Sequence, residues 1–583
     1  MNSLKALNKY LYKYRLKLFL GFVITIVSRI FSLFAPRLIG NSLTTVERYL
    51  NNVDADLGEI KEILLMNILV ILAASIISGF FTFLMRQTII NVSRYIEFDL
   101  KNDIFAHYQL LGQKFYKNNR TGDLMNRISE DVGKVRMYVG PAIMYSTNTL
   151  ALFIIVISYM VSIAPELTFY TVLPLPFLSY IIYKLSKIIN QKSTAVQQFL
   201  SGLSSFTQER FSGIAIIKTY GLEQESSRSF GDLAQTGYDK NMDLAKLQAW
   251  FFPLMILLIG LSNLLVIFIG GKQYMDGQIE IGVLAEFIIY INMLTWPVAV
   301  VGWVSSIVQQ AAASQQRIND FLEEKPEIIG GEKKALQKDF ALEFKDVCLS
   351  YPETSIQALK HVSFRVEEGQ TLGIIGSIGS GKSTLLDLIT RIYNPQEGTV
   401  FIGGVPIQEF DLQELRKMIA TVPQNPFLFS ETIRQNILFG KPDATPEEVQ
   451  AAAKAAAVHD NIIDFKEGYD TLLGERGVTL SGGQIQRISI ARALIKDAPI
   501  LLFDDCLSAV DTDTEELILS HLKQLSQHKT SCIVSHRISS VIDADLILVL
   551  EEGRIIQAGD HKSLKEKEGY YRELYRKQQG NSL

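Results

Sequence analysis

Gly376-Ser377-Ile378-Gly379-Ser380-Gly381-Lys382-Ser383-Thr384 decides the reading of this chain. The run before it, Thr371-Leu372-Gly373-Ile374-Ile375, is short and apolar like a buried strand, and a helical stretch follows. Strand, glycine-rich loop and helix in that order form a phosphate-binding pattern. The glycines let backbone N–H groups turn inward around phosphate oxygens, and the helix N-terminus adds the positive end of its dipole. In this pattern Lys382 reaches the β- and γ-phosphates of a nucleotide and the Ser383 hydroxyl ligates Mg²⁺. Gly376, Ser377, Gly379, Ser380, Gly381 and Thr384 complete the cradle.

Two further stretches support this reading. Ile500-Leu501-Leu502-Phe503-Asp504-Asp505 is a second apolar strand, and it ends in two acids. A strand tip beside a phosphate loop is where a Mg²⁺-organising carboxylate belongs, and Asp504 takes that role. Leu480-Ser481-Gly482-Gly483-Gln484 precedes another helix, so Ser481, Gly482, Gly483 and Gln484 make a second anion-binding cap. One nucleotide does not need two caps. The economical assignment is that the second cap serves a nucleotide held by another subunit.

Upstream the composition changes. Six apolar runs approach the ~20 residues that a membrane-spanning helix needs; they lie at about 18–39, 63–84, 141–163, 167–183, 250–270 and 281–308. Ala164-Pro165-Glu166 is the turn between the third and fourth. Lys5, Lys9, Lys13, Arg15 and Lys17 precede the first run with no acid among them, which predicts an N-terminus in the cytosol. An even number of spans returns the second half of the chain to the same side. The inner connections, about 86–137 and 185–247, are long, polar and free of proline, so they read as helical extensions that reverse near 113–123 and 208–218. Arg29 and Glu286 carry charge within the spans and are functional leads, with pairing inside the bundle or snorkelling to the interface as the alternatives. Phe31, Phe34, Tyr290, Trp296 and Trp303 are candidates to line a substrate path, or to face lipid or pack the bundle.

The reading therefore divides the chain into a membrane domain at 1–310, a connector at 311–340 and an α/β nucleotide-binding domain at 341–583. A mean hydropathy of +0.17 with 48% hydrophobic residues argues against disorder and against an ordinary soluble enzyme. A net charge of −4 leaves no basic field for nucleic acid. The three cysteines, Cys348, Cys506 and Cys532, are far apart and show neither metal-ligand spacing nor a disulfide framework.

With these motifs in order, the whole chain resembles an ABC exporter half-transporter of the multidrug or lipid type: six membrane helices with long cytosolic extensions, fused to a phosphate-loop ATPase domain. The resemblance implies ATP and Mg²⁺ as ligands, and location in the cell membrane as a multi-pass protein with its ATPase domain in the cytosol. It implies that Tyr351 stacks on adenine, that Gln424 links Mg²⁺ and water to the membrane interface, and that His536 meets the γ-phosphate. Gly474-Glu475-Arg476-Gly477 matches the short exporter loop before the signature, and Ser508-Ala509-Val510-Asp511 matches the loop that crosses the dimer interface. The reversals near 113–123 and 208–218 match the family's coupling helices.

One residue departs from the pattern. The family places a glutamate after the Mg²⁺ aspartate to orient or deprotonate the attacking water, and here Asp505 stands there. Its carboxylate is one methylene shorter and retracts by about 1–1.5 Å, a scale on which catalytic placement costs ~100-fold in rate. Ser481–Gln484 is intact. The resemblance then points to the degenerate-site subunit of a heterodimer, whose non-identical partner supplies a catalytic glutamate opposite this chain's signature. The rival readings are a homodimeric drug or lipid flippase in which Asp505 is active, and an ATP-gated, channel-like regulator. Ile485 also departs from a common arginine, with no consequence attached.

Overall fold

The computed structural model describes residues 2–51, 57–333, 338–351, 354–474, 480–507, 512–525 and 528–580. The chain forms two compact units, Met1–Gln109 with Thr121–Glu324, and Leu110–Arg120 with Lys325–Leu583.

Among the described residues, six helices are long and apolar enough to cross a membrane: Arg15–Asn51, Leu57–Leu110, Thr121–Ile163, Pro165–Ser212, Glu223–Met275 and Ile281–Leu322. At 37 to 54 residues each, they exceed the ~20 that span the hydrocarbon, and the surplus forms the expected polar extensions. The helix ending at Ile163 stops at Ala164, and Pro165 opens the next, where its missing N–H leaves no bond unmade. The second inner reversal is a short helix, Ile214–Tyr220, a few residues beyond the predicted 208–218. Nothing breaks the preceding helix before Gly213, and Gly221 ends the short one in a left-handed conformation at φ +66°.

Spans one and six touch through small residues. A Cβ added to Gly282 would lie 2.1 Å from the carbonyl oxygen of Gly40, and the Gly282 N–H donates to Thr44 Oγ1 at 3.2 Å. Lipid gives no hydrophobic drive for this contact, so close backbone approach and the hydrogen bond hold it. Arg29 Nε donates to Asn148 Oδ1 at 2.6 Å, and Glu286 accepts from the Tyr290 hydroxyl at 2.7 Å. Both intramembrane charges are thus partnered inside the bundle, and Tyr290 is fully buried there. The basic N-terminal segment is tied down as well. Lys9 and Tyr10 meet Asp103, and Lys13 and Tyr14 meet Asp99, at 2.5 to 3.0 Å. Arg317 pairs with the buried Asp131.

In the second unit the described residues form two sheets. β1 (Leu342–Ser350), β2 (Gln357–Val366), β4 (Glu397–Ile402) and β5 (Val405–Pro406) make an antiparallel sheet in the order β2-β1-β4-β5. The other sheet contains β3 (Thr371–Gly376), β6 (Ile419–Val422), β7 (Ile500–Asp504), β8 (Thr530–Val534), β9 (Leu546–Glu551) and β10 (Arg554–Gly559), ordered β10-β9-β3-β8-β7-β6. Its strands β9, β3, β8, β7 and β6 are parallel neighbours, so the loops that leave β3, β6, β7 and β8 all emerge at one edge. Two hydrophobic clusters flank these strands. One contains Leu385, Leu388 and Ile389 of the helix after the phosphate loop, and the other contains Leu480 and Ile488 around the second cap.

Candidate functional site

Ligands of open parallel sheets bind beyond the carboxyl ends of the strands. Here that edge collects four predicted segments: the phosphate loop after β3, Gln424 after β6, Asp504 and Asp505 at the end of β7, and His536 after β8. Register brings them together, since Asp504 pairs with Val534 and Val422 with Phe503.

Two glycines set the shape of the phosphate loop. Gly379 and Gly381 have φ of +79° and +99°. A side chain at Gly381 would also press a Cβ to 2.3 Å from the Ala358 carbonyl oxygen. Both the conformation and the space therefore demand glycine. The Lys382 ammonium bonds to the carbonyls of Gly376 at 2.9 Å and Ser377 at 2.7 Å. Burial lowers its pKa, and Asp505 and Asp504 act in the opposite sense. Ser383 Oγ donates to Asp504 Oδ1 at 3.0 Å. Burial raises the Asp504 pKa, and neighbouring Asp505 raises it further. Two carboxylates with a serine hydroxyl and a glutamine amide make a hard oxygen set of the kind Mg²⁺ takes. The buried Ser380 hydroxyl has no hydrogen-bond partner among the described residues, so a polar group remains to be satisfied at the cradle.

Asp505 is buried, at φ +44°, with its N–H bonded to the Val534 carbonyl at 2.9 Å. Gln424 Nε2 donates to Asp505 Oδ2 at 3.4 Å. The backbone is thus held at Val534 and the carboxylate at Gln424. The His536 carbonyl accepts from Gln578 Nε2 at 2.9 Å, which fixes the loop after β8 from the C-terminal helix Tyr570–Gly580.

The second cap packs on the second hydrophobic cluster. Ser481 Oγ accepts from the Gln484 N–H at 3.3 Å, and Gln484 Oε1 accepts from the Ser481 N–H at 3.0 Å, closing a capping box on helix Gly482–Leu494. These side chains satisfy one another, Ser481 stays exposed, and their core is the second cluster rather than the phosphate-loop cluster. Glu475, Arg476, Gly477, Ser508, Ala509, Val510 and Asp511 lie outside the described residues.

The aromatic residue Tyr351 follows β1. Its hydroxyl lies 2.8 Å from Thr384 Oγ1, and its ring meets Tyr393 edge-on at 5.3 Å. Sequence reasoning missed what stands over these rings. Lys117, on the short helix Gln113–Asn118 at the first reversal, donates to the Tyr393 hydroxyl at 2.7 Å and lies 5.1 Å from the Tyr351 ring centre. Nothing local in Gln113-Lys114-Phe115-Tyr116-Lys117 names a partner 276 positions away. Asp387, also missed, has its carboxyl pushed up to about 6 by burial and then by Asp504, with Lys117 opposing.

A model of the ABC transporter transmembrane region matches residues 18–298, and a model of the ABC transporter matches residues 359–508. Multidrug resistance-like ATP-binding protein MdlA of Escherichia coli is 37% identical over 517 residues, 88% of each chain. The chain belongs to the ABC transporter family. The probable multidrug resistance ABC transporter ATP-binding/permease protein YheI of Bacillus subtilis is 34% identical over 99% of this chain and 97% of its own length. An ATP-dependent lipid A-core flippase of Desulfotalea psychrophila is 35% identical over 82% and 84%. A solved bacterial Atm1-family ABC exporter with ATP bound superposes with a TM-score of 0.79, at 26% identity, over 98% of this chain and 99% of that one. This ABC exporter is a multi-pass membrane protein whose ATPase domain is coupled to transport, on a fold that works as a dimer.

Proposed function

We propose that this exporter chain is one half of a heterodimer, and that its own ATP site binds nucleotide but hydrolyses it slowly. The observation that carries the reading is Asp505, held by Val534 and Gln424 where the family's usual glutamate would reach farther. Lys382 and the phosphate-loop N–H groups hold the triphosphate, Tyr351 takes the adenine, and Ser383, Asp504 and Gln424 hold Mg²⁺. Mg²⁺ would neutralise charge on the β- and γ-oxygens. Asp505 orients water from too far back, and His536 faces the γ-phosphate. Ser481–Gln484 and Asp511 serve the partner's nucleotide, which the exposed, locally satisfied cap supports. ATP favours the closed dimer only by binding it more tightly than the open one.

The reading places the N-terminus and the ATPase domain in the cytosol and the spans in the cell membrane. The exported compound is amphipathic or hydrophobic, an inference supported by relatives named for multidrug resistance and lipid A flipping. The test is purification of the chain alone and with a co-expressed half-transporter that carries glutamate after its Mg²⁺ aspartate. ATPase activity that is weak alone and strong in the pair is expected. A homodimer with robust activity that Asp505→Asn abolishes would establish the rival, an active aspartate.

A further inference from the structure

We propose a zinc-class metal site on the antiparallel sheet, made by Cys348, His361 and Glu397. Among the described residues these are the three metal-ligating side chains whose donor atoms all lie within 4.8 Å of one another. They come from three adjacent strands. Cys348 of β1 pairs directly with Glu397 of β4, and the His361 N–H of β2 donates to Cys348 Sγ at 3.2 Å. Bulges set this meeting up. Asp346 and His361 both sit at φ +52°, where the register of β1 against β2 shifts, and a bulge re-aims the side chains that follow.

A further contact points to a metal. His361 Nδ1 lies 2.9 Å from an Asp346 carboxylate oxygen. That hydrogen bond places the proton on Nδ1 and leaves the Nε2 lone pair to ligate, the carboxylate–histidine arrangement that orients metal-bound imidazoles. The thiol is buried while His361 and Asp346 are 63% and 70% exposed, so an ion enters from solvent and ends on sulfur. One thiolate, one imidazole and one carboxylate, with water in fourth place, suit a borderline ion such as Zn²⁺ and not Mg²⁺. Bonds of ~2.0–2.3 Å require donors about 3.5 Å apart, which the exposed His361 and Glu397 reach by turning about an ångström inward. Binding releases the Cys348 thiol proton to solvent. The occupied site clamps β1, β2 and β4 together, three residues before Tyr351.

The experiment uses the full chain purified in detergent, stripped with chelator and titrated with Zn²⁺ alone against a chromophoric competitor. One equivalent per chain is expected, lost in Cys348→Ser and His361→Gln and weakened on the order of 10–100-fold in Asp346→Asn. His361 is exposed, so its variant tests the site even if the buried cysteine variant folds poorly. Titration with Co²⁺ should give a thiolate-to-cobalt charge-transfer band that both ligand variants lack. Zinc uptake unchanged in the two variants, no stoichiometric uptake, or uptake without the thiolate band overturns the proposal.

Discussion

Asp505 lies at the end of a parallel strand, and its position there sets how far its carboxylate reaches. Its backbone is bonded to Val534 and its side chain to Gln424, so Asp505→Glu extends the carboxylate without moving its anchor. On the purified chain the replacement should raise ATP turnover by at least about 10-fold at unchanged ATP affinity, measured by phosphate release and nucleotide binding. An unchanged rate would mean that residue 505 does not limit hydrolysis. Asp387 gives a second expectation. Its pKa rises from 3.8 unfolded to about 6 folded, so between these values the folded state holds a proton that the unfolded chain has lost. Stability from this group is therefore present at low pH and lost as pH rises through about 6. Asp387→Asn should flatten that slope and stabilise the protein at pH 7 by up to about 3 kcal/mol, read from melting temperatures across pH 4–7.

Helix Gln113–Asn118 is too short to be stable alone, and it packs as part of the second unit. Lys117 caps Tyr351 and Tyr393 there, so the loop between spans two and three touches the aromatic expected to meet adenine. Lys117→Met removes a cation–π contact and a charged hydrogen bond, and should raise the KM for ATP by about 3- to 10-fold and weaken coupling of ATPase to transport. An unchanged KM would reduce the contact to surface packing. In the membrane bundle, Gly282→Val drives a side chain into the Gly40 carbonyl, and spans one and six must separate. The cost should be at least ~1–3 kcal/mol, visible as a lower melting temperature in detergent with nucleotide affinity kept.

Across the whole molecule, the phosphate loop and the second cap sit on different hydrophobic clusters of one ATPase domain, so their roles are separable by mutation. In a heterodimer, Lys382→Ala should abolish nucleotide binding at this chain's own loop. Ser481→Ala should instead lower hydrolysis at the partner's site, for a cap loss of about 0.5–2 kcal/mol in folding. Labelling each site with a photoreactive ATP analogue distinguishes the two, and loss of labelling at this chain's own loop in Ser481→Ala would contradict the assignment. Much of this molecule was legible in the linear chain. Apolar runs of membrane length, the strand–loop–helix around Gly381–Lys382 and the Ser481 cap depend on neighbours within a few residues, and local sterics and hydrogen bonding decide them. What only the tertiary structure decided spans hundreds of residues. It partnered Arg29 with Asn148, set Lys117 over Tyr351, shifted the second reversal to Ile214–Tyr220, and brought Cys348, His361 and Glu397 together. Strand order, bulges and helix crossings make those meetings, and no short window of sequence contains both partners.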